Sequence, residues 1–324
     1  MIEGDDLALF QRSLAHATEE HSGAALDASL DALGWRDALD LDPRAAIATL
    51  FTLQGAANVT SGSLDVALAD LLLEADAEAV PEAVAVILPR LGLGDPPAVL
   101  AGEQLRVDGI GTAALVRHDT AVVGAALGGE TVAVVVETGA LTVRPFGGLD
   151  PALGLVEVRA EMVLPAGSVV EQVSWPESIA RGRLALSHEL IGGSRTMLEL
   201  ARTHALDRVQ FGVPVSSFQA VRHRLAEALV AIEAAEAAVD GAWLDGTLGA
   251  AAIAKAVAGR SARTVARHAQ QVLAGVGFTT EHPFHQHLRR ALVLDGLLGD
   301  ARTLTRRLGA ELLAARSLPS ILPL

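Results

Sequence analysis

The chain has no cysteine and no tyrosine, a single lysine (Lys255), and only 3% aromatic residues in its 324 positions. Without cysteine there can be no disulfide, no thiolate metal site and no cysteine nucleophile. Hydrophobic residues make up 51% of the chain and mean hydropathy is +0.38. Even so, no apolar run reaches the ~18 residues that a membrane-spanning helix needs. The opening MIEGDDLALF is acidic and lacks the basic segment of a signal peptide, so the expectation is a cytoplasmic protein with no membrane partner. A net charge of −14 argues against a nucleic-acid partner. It leaves room for an anionic ligand only where arginine or a helix N-terminus supplies local positive charge. No P-loop, no G-x-S-x-G and no G-x-G-x-x-G after a strand is present. The excess of apolar residues has one natural outlet, burial between subunits.

What is present divides into three. Residues 1–80 read as helices. DDLALFQRSLAHATEEH places Leu7, Phe10, Leu14 and Ala15 on one face, Gly34 stops a second pattern, and Asp42 with Pro43 opens a third as N-cap and first helical residue. SGSLDVALADLLLEA is a fourth. The stretch 76–103 is mixed and is broken by Pro81, Pro89 and GDPPAVLAG, with a domain boundary expected near 80. Between 104 and 170 the period shortens, and TAVVGAAL, TVAVVVET, ALTVRPF and GLVEVRAEMVL read as strands separated by turns, with Gly128-Gly129 in a hairpin position. From 173 to 324 four long helices are expected, over about 174–207, 216–243, 247–274 and 284–314, with Ser174 and Glu177 as a capping box. The predicted architecture is α+β: an N-terminal helical domain (1–80), a small middle β domain (81–172) and a C-terminal four-helix bundle (173–324).

Two helix connections in the bundle are richer than connections need to be. In RVQFGVPVSSFQ, a helix stop accounts for Arg208, Gly212 and Pro214 but not for Gln210, Phe211, Phe218 or Gln219. In QQVLAGVGFTTEHP, small residues at Ala274, Gly275 and Gly277 would let backbone N–H groups approach a phosphate, or would simply end a helix. His282, His285 and His287 cluster beside Glu281, but their spacing matches no helical two-histidine ligand pattern, so a turn role is expected and no metal.

These motifs, in this order and inside a four-helix bundle, resemble the acyl-CoA dehydrogenase family. The family's R-x-x-F-G-x-x-x-x-x-x-Q is met by Arg208, Phe211, Gly212 and Gln219. Its Q-x-x-G-G-x-G-[FY]-x-x-[ED]-x-P is met by Gln271, Gly275, Gly277, Phe278, Glu281 and Pro283, with Ala274 in place of the first glycine, and Arg289 matches the arginine that follows. The resemblance implies an FAD-dependent desaturase of acyl-CoA thioesters that passes electrons to a separate acceptor. It also implies that these connections reach across a dimer interface to the adenosine and pyrophosphate of a neighbour's FAD. Arg208 would then pair with the pyrophosphate, Gln210, Phe211, Phe218 and Gln219 would shape the pocket, and Gln271, Ala274 and Gly275 would line its other side.

The family's catalytic base is missing. Its two known positions hold Leu298 and Gly182, neither of which can accept a proton. The flavin-side stretch T-E-P-x-x-G-S-D and the W-I-T/S strand are also not found. This pattern resembles the smaller, non-catalytic subunit of a heteromeric (α2β2) acyl-CoA dehydrogenase of the steroid type. A larger catalytic subunit would then supply the base and the acyl pocket. Two other readings stand beside it: a self-sufficient homo-oligomeric flavoprotein with a displaced base, Asp295 being one candidate, and a non-enzymatic scaffold that kept the fold.

Overall fold

The structure is a computed structural model that describes residues 4–73, 85–165, 167–170 and 175–316. The expected domain boundaries near 80 and 173, and Ser174 of the capping box, lie outside the described residues.

Five helices come first: α1 (Gly4–Glu20), α2 (Ala24–Ala32), α3 (Trp35–Leu41), α4 (Pro43–Ala57) and α5 (Ser63–Leu73). Gly34 separates α2 from α3 in the left-handed region at φ 70°. The Asp42 carboxylate accepts the Ala45 N–H at 3.0 Å and so caps α4, with Pro43 following it.

An eight-stranded sheet follows, made of β1 (Ala85–Ile87), β2 (Ala98–Ala101), β3 (Gln104–Gly111), β4 (Thr120–Leu127), β5 (Glu130–Glu137), β6 (Thr142–Pro145), β7 (Val156–Val163) and β8 (Val169–Val170). The order is β6-β7-β3-β2-β4-β5-β8, with β1 also paired to β4. The β4–β5 hairpin closes through Gly128-Gly129, both at positive φ, with Leu127 opposite Glu130. The first two strands fall in the stretch that reads as broken chain. Each is three or four residues long, too short to show a period, and each runs parallel to β4. The sheet is buried on both faces at its centre. Val86, Leu88, Ile110, Val122 and Ala133 join the helical core, while Leu105, Val107, Ala121, Val123, Val134 and Val136 form a second core on the other face. That is why TAVVGAAL shows no polar alternation.

The bundle consists of α6 (Trp175–Asp207), α7 (Gln219–Asp245), α8 (Leu248–Leu273), α9 (Phe284–Gly296) and α10 (Ala301–Ala315). The expected fourth helix over 284–314 is therefore two. Glycine at 296 and 299 weakens the helix there. Leu298 and Gly299 turn left-handed at φ 56° and 97°, and the Asp300 carboxylate starts α10 by accepting the Thr303 N–H at 2.6 Å. Lys255, fully buried on α8, staples this break: its Nζ donates to the carbonyls of Asp295 (2.9 Å) and Gly299 (3.4 Å). The Asp295 carbonyl is one that the end of α9 leaves without a helical partner, and that of Gly299 belongs to the break itself.

The N-terminal helices lock onto the bundle where α4 crosses α6. A Cβ on Gly55 would lie 2.0 Å from the Glu189 carbonyl oxygen, and one on Gly192 would lie 2.0 Å from that of Thr52, so only glycine permits this approach. Arg290 of α9 ties the three parts together. It is 3% exposed, pairs with Asp150 of the loop after β6, and donates to the Val59 carbonyl at the end of α4 at 2.8 Å. The neighbouring Arg289, singled out by the sequence motif, is only half-buried.

Candidate functional site

The two rich connections meet. Where α6 ends, Val209–Gln210 (β9) and Val213–Pro214 (β10) form a two-stranded hairpin whose turn is Phe211-Gly212, both at positive φ. The Arg208 carbonyl accepts the Val215 N–H at 2.8 Å and closes the loop. Phe211 is 92% exposed and meets Phe218 edge to face, centroids 6.2 Å apart at 87°. Across from them, α8 ends at Leu273 and a short helical turn, Ala274–Phe278, begins. Together they line an open cavity of about 830 Å³. Of the expected residues, Arg208, Gln210, Phe211, Phe218, Gln271, Ala274 and Gly275 all line it. Gln219 is the first residue of α7, exposed, and is not part of the lining.

The cavity also contains residues that the motifs do not single out, chiefly His204 and Arg224. Helical spacing carries the signal for both: His204 is one turn before Arg208, and Arg224 is one turn after Val221. No ion pair occupies Arg208 or Arg224 among the described residues, and no carboxylate is in the lining of the cavity. Two unpaired guanidiniums, a T-shaped phenylalanine pair and two amide side chains suit a ligand that is a flat ring at one end and a phosphate at the other. Gln210 now donates to its own neighbour, the Val209 carbonyl, at 2.7 Å.

Ala274 has φ 52° and ψ −131°, a conformation that L-residues rarely adopt and that glycine takes easily. The backbone has kept a glycine geometry at a position that holds alanine. The histidines nearby are structural: His282 Nδ1 accepts the Phe284 N–H at 3.2 Å at the start of α9, its carbonyl lies 2.6 Å from His285 Nδ1, and His287 is buried. No group of three metal-ligating side chains is found among the described residues.

Residues 175–313 match the family model described as acyl-CoA dehydrogenase, C-terminal domain. This stretch is similar to the C-terminal domain of the acyl-CoA dehydrogenase family. Among curated relatives, acyl-CoA dehydrogenase IpdE2 of Mycobacterium tuberculosis is 33% identical over 168 residues, 52% of this chain and 51% of that protein. Acyl-CoA dehydrogenase FadE34 of the same organism is 38% identical over 178 residues, 52% of this chain and 24% of that protein. The chain thus matches about half or less of the length of these relatives. Among solved structures, a variant of the Tcur3481-Tcur3483 steroid ACAD superposes with a TM-score of 0.78 at 21% identity, covering 97% of this chain and 99% of that one. Butyryl-CoA dehydrogenase from Megasphaera elsdenii gives 0.75 at 20% identity, with coverage of 97% and 99%. These share the fold: helices, a sheet, then helices.

Within this family fold, the two positions where the resemblance places a base converge on one spot, and that spot is full. A Cβ on Gly182 would lie 2.7 Å from Leu298 Cδ1 and 2.7 Å from Leu68 Cδ2. Leu298 and Leu68 are both 0% exposed. Arg183 Nε donates to the Leu298 carbonyl at 3.0 Å and holds the leucine in place. Beside it, Trp175 packs over the sheet so closely that a Cβ on Gly124 would lie 2.2 Å from the indole. Asp295, the alternative base candidate, is 1% exposed and committed elsewhere. Its carboxylate takes Arg263 Nη2 at 2.7 Å and Nε at 2.8 Å, and accepts the Ala301 N–H at 3.1 Å.

A buried acid does carry a perturbed pKa, but away from both sites. Burial raises the Glu189 carboxyl to about 7, with Asp150 adding and Arg290 opposing. Arg290 gives its Nε to Asp150 and its Nη1 to the Val59 carbonyl, and stands 3.8 Å from Glu189.

Proposed function

We propose that this chain is the non-catalytic subunit of a heteromeric, FAD-dependent acyl-CoA dehydrogenase that desaturates an acyl-CoA thioester between its α and β carbons. The carrying observation is a contrast between two sites in one chain. The Arg208 cavity is open, cationic and lined by the family's motif residues, while the place of the base is packed with Leu68 and Leu298. A chain in this state can help to hold a cofactor and cannot abstract a proton.

FAD would accept the hydride that leaves the β carbon. The donor set fits the adenosine and pyrophosphate half of that cofactor. Arg208 would pair with the pyrophosphate, Arg224 would add charge, and Phe211 with Phe218 would cover the adenine. Gln271 and the Ala274-Gly275 backbone would close the opposite wall. A larger catalytic subunit would supply the carboxylate that takes the α-proton, the acyl pocket and the contact with an electron acceptor. A 92% exposed Phe211 is explained if the partner's cofactor covers it. The likeness to a protein called a steroid ACAD supports a bulky, steroid-type acyl group. The commitment of Asp295 to Arg263 and α10 counts against a self-sufficient enzyme that uses it as base.

The test is co-expression with a full-length family member from the same genome, against this chain alone. Flavin absorbance and the mass of each species are the readouts. FAD retained only in the complex, and lost from the complex on Arg208→Ala, supports the reading, because a cofactor spanning an interface is held only when both halves are present. A lone chain that purifies with bound FAD refutes it. A complex whose flavin content and activity ignore Arg208→Ala makes the chain a scaffold.

A further inference from the structure

A second cationic groove lies along the middle of α8. Arg260, Arg263 and Arg267 stand on one face of this helix at i, i+3 and i+7, and Arg302 and Arg306 stand on one face of α10 at i and i+4. The two faces line one open groove of about 810 Å³, with Thr264 and Thr305 between them. Only two carboxylates reach it, and both are engaged. Asp295 is held by Arg263, and Asp300 caps α10. The other four arginines make no ion pair among the described residues.

This is an unusual use of charge. Stacking like charges at helical spacing is unfavourable, and here it happens in a chain whose net charge is −14. The sheet offers the contrast. In the arginine-rich cavity beside β3 and β7, three of the four arginines are paired: Arg90 with Asp108 at 2.7 Å, Arg106 with Glu161 at 3.5 Å and Arg159 with Asp108 at 3.6 Å, while Arg144 is not. In the groove between α8 and α10 only Arg263 is paired, with Asp295, and four arginines are left over. Its volume falls within the range of small-molecule sites, roughly 300–1,000 Å³. Planar guanidiniums converging from two helices, with hydroxyls between, match phosphate oxygens better than single carboxylates.

We infer that this groove binds a diphosphate-bearing small molecule, a ligand of nucleoside diphosphate size. The site is separate from the Arg208 cavity. The two share no lining residue, although Arg267 and Gln271 are one turn apart on α8.

The experiment is calorimetric titration of the purified full chain with inorganic pyrophosphate and with ADP at low salt. Four proteins are compared: the natural chain, an Arg267→Ala/Arg306→Ala variant, Arg208→Ala, and an Arg106→Ala/Arg159→Ala variant with the same charge change elsewhere. All five positions are exposed, and a melting curve for each confirms the fold. The expected result is a binding step that weakens about tenfold or more in the groove variant, stays within about twofold in the Arg106→Ala/Arg159→Ala control, and persists in Arg208→Ala, where the other cavity has lost its own hold on a diphosphate. Equal affinity for pyrophosphate and ADP assigns recognition to the diphosphate alone, and tighter ADP binding adds the nucleoside. The inference is overturned if neither probe binds, if the control variant weakens as much as the groove variant, or if Arg208→Ala alone abolishes binding. It is also overturned if a poly-glutamate peptide binds the groove more tightly than ADP, which would assign it to an acidic protein segment.

Discussion

Ala274 offers a quantitative test of backbone strain in the wall of the Arg208 cavity. Its φ of 52° and ψ of −131° correspond to the first central position of a type II′ turn, which glycine fills without strain. A side chain held in such a region costs about 1–3 kcal/mol. Ala274→Gly removes that cost but gives the unfolded chain more freedom, a loss of about 0.5–1 kcal/mol. The methyl group lost is exposed, so its burial contributes little. Ala274→Gly should therefore stabilise the chain by about 0.5–2 kcal/mol, with no change in the denaturant slope. The assay is urea unfolding followed by far-ultraviolet circular dichroism. Gly275→Ala is the companion: a Cβ there meets nothing within 4 Å, and the residue is not at positive φ, so stability should hold or rise slightly. A loss of stability in Ala274→Gly would show that the turn is not strained, and the account of this wall would be wrong.

Further predictions concern the filled site and two buried charges. Gly182→Ala should cost about 1–3 kcal/mol by overpacking Leu68 and Leu298, and Leu298→Ala about 2–5 kcal/mol by leaving a cavity. The double variant should cost less than their sum by about 1 kcal/mol or more, and strict additivity would show that the two positions do not share one space. Burial, with Arg183 adding and Asp295 opposing, lowers Lys255 to about 8 from an ordinary 10.5. Between these values the unfolded chain binds more protons, so stability should rise from pH 8 to 10.5 and Lys255→Met should flatten that rise. Glu189, raised by burial from 4.5 to about 7, has the opposite sign. The native state binds more protons in that window, so stability should fall as pH rises from 4.5 to 7, and Glu189→Gln should remove the fall.

If the cavities at Arg208 and along the α8–α10 groove both prove to bind anions, their arrangement explains how a chain of net charge −14 places its arginines. Those that pair with carboxylates hold the fold, as Arg290 does with Asp150. Among those without a carboxylate partner in the described residues, Arg208 and Arg224 line one open cavity and Arg260, Arg267, Arg302 and Arg306 line the other.

The order of helices, sheet and helices was legible in the residues alone, because a change from 3.6-residue to 2-residue periodicity survives any packing arrangement. So were the Asp42 cap, the Gly128-Gly129 hairpin and the cavity residues Gln210, Phe211 and Phe218, which stand out because a helix stop does not account for them. The sequence also determined that no proton acceptor stands at position 182 or 298. What only the tertiary structure decided are the meetings of distant residues. Leu68, Gly182 and Leu298 are far apart in the chain and fill one space, and Asp295 spends its charge on Arg263. Lys255 closes a helix break that periodicity could not reveal, since the residues on both sides are helical. His204 and Arg224 complete the cavity, and five arginines from two helices face one groove. Each depends on which face of a helix turns toward which neighbour, and that is set by the whole core packing at once rather than by any local stretch.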